Sequence, residues 1–247
     1  MKALNILLEK IDRSKTLDFG DIFSNSIELF KKVWAQGLIM MLLMMVILIP
    51  FYLVMYLPFI GMGFLDMDAY SYNNDISPIL MIPFFIMIFV FSIVAMVLSF
   101  GMKASFYRIC KMKDLNEAGS DDYFYYLKKP YLGKVIVLSL MIFGMSLLAT
   151  LLCFLPIIYV MVPITLINVI FAFNPDLSAS DIIKAGFRLG NKKWLITFGL
   201  IVISAILAEL VGLLMCFVGI FVTASFSYIP AYFVYKESVG FQNPNDI

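Results

Sequence analysis

The sequence predicts an all-α membrane protein: six transmembrane helices built as three hairpin repeats, each preceded by an amphipathic interfacial helix. Three observations predict it: long apolar runs, a one-sided distribution of Lys and Arg, and a polar segment that recurs. Of the 247 residues, 62% are hydrophobic and 14% charged. Soluble domains carry about 45–50% apolar and about 25% charged residues.

The apolar excess is concentrated in five blocks: Leu38–Ile60, Ile79–Gly101, Val135–Phe154, Ile157–Phe173 and Leu195–Tyr235. About 20 apolar residues cross the roughly 30 Å of hydrocarbon in a bilayer. The last block is about two spans long by that measure and must fold back once, which brings the expected count to six. The opening stretch, "MKALNILLEKIDRSKTLDFG", is mixed and charged, with no cleavage site after a short apolar core. The first span is therefore read as the targeting signal.

Net charge is +1, which points to no nucleic-acid partner, but the placement of charge is informative. Six of the 18 Lys and Arg precede Trp34, seven fall between Lys103 and Lys134, four between Lys184 and Lys193, and the last is Lys236. The connecting stretch "GMGFLDMDAYSYNND" has none, and the turns near Pro156 and Gly219 are uncharged. Basic loops stay on the cytoplasmic side, so both termini are expected inside.

The recurring segment is "DIFSNSIELFKKVW", Asp21 to Trp34, and "DIIKAGFRLGNKKW", Asp181 to Trp194. Aligned without a gap they share Asp21/Asp181, Ile22/Ile182, Leu29/Leu189, Lys32/Lys192 and Trp34/Trp194. Phe23, Ile27, Phe30 and Trp34 follow helical spacing on one face, and the later copy has Gly190 in place of Phe30. Asp21 and Asp181 are expected at the helix starts, where a carboxylate accepts free backbone N–H groups, with Ser180 a rival cap for the second. Such a helix lies in the membrane surface, its apolar side at the headgroup boundary. Trp34, Trp194, Lys31, Lys32, Lys192 and Lys193 are the expected interfacial anchors. A looser third copy is "DDYFYYLKKPYLGK", Asp121 to Lys134, which Pro130 would end. The outer turns around Pro58, Pro156 and Gly219 follow 35–38 residues behind the three Asp. The expected units are 19–112, 121–175 and 178–237 within one membrane domain, 1–247. Three parallel units lack the inverted symmetry common in transporters.

The stretches "DFGDIFSNSIELFKKVW" and "SDIIKAGFRLGNKKW", paired spans after each, and the closing "ASFSYIPAYFVY" carry a resemblance. The chain resembles a bacterial family of six-span membrane proteins that includes the membrane domain attached to some glycerophosphoryl diester phosphodiesterases. The resemblance covers most of the chain. It implies a stand-alone module of the bacterial cytoplasmic (inner) membrane, without the phosphodiesterase chemistry, which belongs to a separate soluble domain.

The sequence carries little catalytic chemistry. There is no histidine, which removes Ser-His-Asp and Cys-His catalysis and most zinc sites. No GxxxxGK[ST] or GxGxxG occurs. Asp121 and Asp122 read as helix-capping acids. The 17 Met and 24 Phe read as lipid-facing and packing surface. No cofactor and no metal are expected. Three cysteines form no framework, and the spacing leaves a Cys153–Cys216 pairing open beside two separately packed thiols. Ser204, Ala208 and Gly212 form a small-residue row suited to close helix approach. Glu209 is the one ionisable residue deep in an expected span, and with Asn168 at similar depth it makes the candidate intramembrane polar site. It is expected to face the bundle with Ala205 and Gly212, as a structural lock or as a proton or ligand site, and the remaining reading is a lipid-facing carboxyl that pulls water in.

The functional expectation is a non-enzymatic integral membrane module that binds membrane lipids or assembles with other membrane proteins or itself. The alternative is a small transporter or channel with Glu209 in its path. The topology is checked by cysteine labelling: Asn73→Cys should react only from outside and Ser120→Cys only from inside. Equal labelling of both from outside would rule it out.

Overall fold

The computed structural model describes residues 2–65, 78–152, 155–215 and 218–241. Residues 66–77, most of the connecting stretch that lacks Lys and Arg, lie outside the described residues, as do Cys153 and Cys216 and with them the question of their pairing. All regular structure among the described residues is helical: α1 (Lys2–Arg13), α2 (Phe19–Leu65), α3 (Pro78–Asp114), α4 (Leu132–Leu151), α5 (Leu155–Phe173), α6 (Ala179–Lys192), α7 (Trp194–Leu214), α8 (Val218–Thr223) and α9 (Ile229–Ser238). Parts of α2 and α3, with α4, α5 and α7, are five helices long and apolar enough to cross a membrane. The protein is a multi-pass membrane protein.

The first expected surface helix does not exist as a separate element. Asp21–Trp34 is the opening of α2, which runs without interruption for 47 residues. At 1.5 Å per residue that is about 70 Å, more than twice the hydrocarbon thickness. The only weak helix former at the junction is Gly37, and there the helix has a reason to stay regular. Gly37 packs on Ser225, whose hydroxyl a Cβ would strike. The cap also sits one turn earlier than expected. Asp18 accepts from the Asp21 N–H at 2.9 Å, and Ser178, not Asp181 or Ser180, caps α6 by accepting from the Asp181 N–H at 3.2 Å. Asp21 and Asp181 are first-turn residues, where their charge still suits the helix dipole.

The stretch Asp121–Lys134 is not a surface helix either. It is a set of turns around a 3-10 helix at Tyr125–Leu127, and α4 opens at Leu132. Tyr126 explains the difference: its hydroxyl donates to the Ala172 carbonyl at 2.5 Å and its ring meets Phe171. Leu127 fills the space above Gly101. The segment is thus pinned into the bundle rather than spread on a surface.

The second half of the last apolar block is broken: α8, a 3-10 helix over Ala224–Tyr228, then α9 with Pro230 in its first turn. Pro lacks an N–H, so a helix start is where it is tolerated.

The best-buried core lies at the charged end of the bundle. It unites Met102–Cys110 of α3, Leu166–Ala172 of α5 and Ile229–Tyr235 around α9 with Ile22, Leu29 and Val33 of α2. Phe226 holds Phe23 and Phe30 edge-on. Asp114 accepts from Tyr232 and from Lys236, each at 2.6 Å. Toward the other end the helices present apolar side chains outward, Leu53, Phe85, Leu148, Leu151 and Leu214 among them. That surface suits hydrocarbon and not water.

Two close helix contacts depend on glycine. On α7 the expected small row is buried: Gly212 lies against the Ile220 backbone, where a Cβ would come within 2.7 Å of Cα. On α6, Gly186 and Gly190 form a GxxxG edge laid along α5 in antiparallel fashion, Gly186 on Ile167 and Gly190 on Pro163. Small residues at this spacing let backbones approach. A Cβ on Gly190 would stand 3.0 Å from Pro163 Cα and 3.2 Å from its nitrogen, and backbone cannot step aside cheaply. Gly190→Ala is therefore expected to destabilise by about 1–3 kcal/mol, the usual range for overpacking. Gly144 of α4 has nothing within 4 Å of its Cβ position, so Gly144→Ala should be neutral or mildly stabilising. Thermal unfolding of both variants in one detergent checks the contrast.

Candidate functional site

The expected polar pair is not a pair. Asn168 is buried on α5, and its side-chain amide donates to the Phe100 carbonyl of α3 at 2.9 Å. Glu209 is exposed on the outside of α7 and makes no hydrogen bond among the described residues. The reason is a rotation of one residue. The buried face of α7 is Thr197, Leu200, Ser204, Ala208 and Gly212. Successive residues on a helix turn by about 100°. Glu209 follows Ala208 directly and so falls off that face, with Ile206 and Leu213 as exposed neighbours one turn away. The assumed inward row through Ala205 and Glu209 was the wrong one of two adjacent rows. What locks α7 to the returning segment is instead the Thr223 hydroxyl, which donates to the Ala208 carbonyl at 2.6 Å.

The expected interfacial anchors divide. Trp34 stands 47% exposed on α2, and Lys32 is exposed without a partner among the described residues. Both suit a headgroup boundary. Lys31 is paired with Glu28 at 2.6 Å. Trp194 is half-buried, stacked on Phe198, with its indole N–H donating to the Tyr159 carbonyl at 3.0 Å. Lys192 and Lys193 are turned to another task. The Lys192 ammonium donates to the carbonyls of Ile11 at 2.9 Å and Asp12 at 2.5 Å, and Lys193 donates to the Lys15 carbonyl. These carbonyls lie in the last turn of α1 and just beyond it, where cations are favoured by the helix dipole, and the Ile11 carbonyl also accepts from the N–H and hydroxyl of Ser14.

Reading the sequence missed this docking helix. Its signal was present: Leu4, Leu7 and Ile11 recur at helical spacing, and all three are buried. Arg188 of α6 completes the clamp, gripping Asp12 with Nε to Oδ1 at 2.8 Å and Nη2 to Oδ2 at 3.0 Å. The fork geometry matches a carboxylate bidentately. The Arg188 hydrogen bond holds the Asp12 carboxyl below its ordinary value of 3.8, aided by the nearby positive charges of Arg188 and Lys192.

At the charged end other acids are also engaged. Asp121 accepts from Gln36 at 3.1 Å and faces Lys113 at 3.3 Å. Asp122 pairs with Lys128 at 2.7 Å and accepts from the Phe124 N–H at 3.1 Å. The Lys128 hydrogen bond keeps the Asp122 carboxyl below its usual range. Burial, then the Asp121 charge, push the Tyr123 phenol up to about 12. Among the described residues no three His, Cys, Asp or Glu side chains gather as a metal site would need. A cavity of about 250 Å³ opens between α4 and α5, lined by Ser146, Thr150 and Thr165 among aliphatic neighbours. Thr150 and Thr165 spend their hydroxyls on their own helices, so the cavity offers little polarity.

No protein-family model, curated protein or solved structure matches the chain.

The α1 clamp is testable. A carboxyl whose folded pKa is depressed contributes stability above its ordinary pKa and loses it as pH falls through the lowered value. Docking of α1 should thus be insensitive to pH at neutrality and weaken only below about pH 4, given an ordinary carboxylate pKa of 3.9. Arg188→Ala should speed hydrogen exchange in α1 about two- to fivefold, the range for an exposed ion pair. Lys31→Ala, on the neighbouring helix, should leave it unchanged.

Proposed function

We propose that the protein is a non-enzymatic membrane module whose work is association within the bilayer, with other membrane proteins as the principal partners and lipid as its surroundings. The observation that carries this reading is the place of Glu209. Glu209 stands fifteen residues after the start of α7 and five before its end, where a carboxylate on an outward apolar face costs up to the roughly 2.5–3.5 kcal/mol that insertion scales give at the centre of a span. Such a group is tolerated where something in the membrane meets it. A transport path would instead want it turned inward, toward other polar groups at its depth. The tight, mostly aromatic and aliphatic core at the charged end supports the same reading, because it is built as a base and not as a passage.

The fuller picture belongs to this proposal: six spans, with the broken α8–α9 segment as the sixth, three related hairpin units, and both termini in the cytoplasm of a bacterial cell. The Lys and Arg distribution supports the orientation. The sequence features described above support kinship with the six-span family that includes phosphodiesterase-linked membrane domains.

The test is purification in a mild detergent with identification of whatever accompanies the protein. The expected result is a stoichiometric membrane-protein partner or a defined oligomer that is lost when Glu209 is changed to Ala. A monomer carrying only bulk lipid, unaffected by that change, would overturn the reading.

A further inference from the structure

We propose that Arg188, Lys192 and Lys193 form a site for the phosphate of an anionic phospholipid, and that α1 is a built-in competitor that fills the site with its own oxygen atoms. The proposal is independent of the assembly reading, since it concerns the charged end of the bundle and not the outward face of α7.

The site holds more positive than negative charge. Three cations converge on the stretch from Ile11 to Lys15, and Asp12 supplies the one carboxylate, which Arg188 takes in both oxygens. Among the described residues Lys192 and Lys193 have no carboxylate partner. Lys193 is the sharper case. It is only 7% exposed, and its ammonium meets a neutral carbonyl where a buried cation calls for an opposite charge. Burial pushes that ammonium below its usual pKa, and the neighbouring charge of Lys192 pushes the same way. A bound anion would relieve both.

The chemistry and the depth select a lipid phosphate. The Arg188 fork fits a phosphate as it fits the Asp12 carboxylate. Lys192 and Lys193 act as point charges that take any oxygen offered. Trp194 follows directly and opens a helix apolar enough to span, which sets the two ammonium groups at the level of the headgroups. Clustered cations at that level attract anionic lipid.

α1 is held in a way that permits exchange. α6 is the helix it packs against, and residues 14–18, which join it to α2, are not helical. The Asp12 and Arg188 side chains are 45% and 60% exposed, so a headgroup can reach them. Once released, α1 has a second place to go. Leu4, Leu7 and Ile11 form one face while Lys2 and Arg13 are exposed on another, the pattern of a helix that lies in the membrane surface.

The experiment uses the full chain in lipid nanodiscs, with Cys153 and Cys216 replaced by Ser and nitroxide labels on Asn5→Cys and Ser24→Cys, both exposed. Cys110 is buried and takes no label. The spin–spin distance reports where α1 stands relative to the start of α2. Phosphatidylcholine alone should give one narrow distance, and rising phosphatidylglycerol should populate a second. Asp12→Ala weakens the competitor and should lower the phosphatidylglycerol content needed for half-release about two- to fivefold, the range for an exposed ion pair. In that Asp12→Ala chain the ion pair is already gone, so Arg188→Ala then reads the phosphate contact alone. It should raise the content needed about fivefold, the worth of one cation at a membrane surface. Both side chains are exposed, so neither change removes packing. A distance indifferent to phosphatidylglycerol, or no effect of Arg188→Ala in the Asp12→Ala chain, would overturn the proposal. Inorganic phosphate added to phosphatidylcholine discs, at matched ionic strength, separates the two sources of the anion. It should leave α1 docked; release as complete as with phosphatidylglycerol would make this a site for a soluble anion and overturn the lipid assignment.

Discussion

Hydrocarbon offers a backbone no hydrogen-bond partner, and the rest of this structure depends on that. Each N–H and C=O within the bilayer has to be satisfied inside the chain, so the apolar blocks become helices. Ionisable groups collect where water can reach them. Because α2 and α3 run well past the apolar stretch, they carry the charged end outward as long extensions. There, where water does drive apolar burial, the segment around Tyr126, the end of α5 and α9 pack into a core. Within the lipid that driving force is missing, and contact relies on shape. This is why Gly212 matters out of proportion to its size.

An amphipathic helix at a membrane can lie in the interface or find a partner. α6 finds two. Its glycine edge takes α5, and its cations take the carbonyl end of α1 and the Asp12 carboxylate. Lys192 and Lys193 carry the charge that would seek a phosphate, but α1 supplies oxygen atoms at closer range and already ordered. The N-terminal helix in turn buries Leu4, Leu7 and Ile11, which alone could not hold a helix of 12 residues in water.

Long-range composition was legible in the sequence, and rotation about helix axes was not. Apolar length and Lys/Arg spacing are sums over many residues, so they located the helices that can cross a membrane. Assigning Glu209 to the interior needed the correct choice between two rows of α7 about 100° apart. Both rows held small residues: Ala205 in one, Ser204, Ala208 and Gly212 in the other. The deciding contact, Thr223 on the Ala208 carbonyl, comes from a segment far along the chain. The caps failed for a related reason. Asp18 precedes Asp21, and Ser178 precedes Asp181, by three residues, and an acid in the first turn carries the same sequence signature as the residue that accepts the N–H. The faces of Asp21–Trp34 and Asp181–Trp194 match a water–lipid boundary. A boundary between a protein core and water has the same two-sided character, so periodicity alone could not tell them apart.

The two most similar segments show how little separates those outcomes. Asp21–Trp34 and Asp181–Trp194 share their end residues and much of their pattern, but one continues straight into a span and the other breaks at Lys193. The difference can be followed to one aligned position. Phe30 fills its place on α2 and meets Phe226 edge-on, and the helix stays regular. Gly190 leaves its place empty, and Pro163 of α5 moves into it. α6 is then held against α5 along its length, and the chain must turn before α7 can run its own course. Proline is well suited to that contact, since its ring fills the glycine gap while its missing N–H asks nothing of α6. A bulky residue at position 190 would remove the reason for the turn, and with it the position from which Arg188 and Lys192 hold α1.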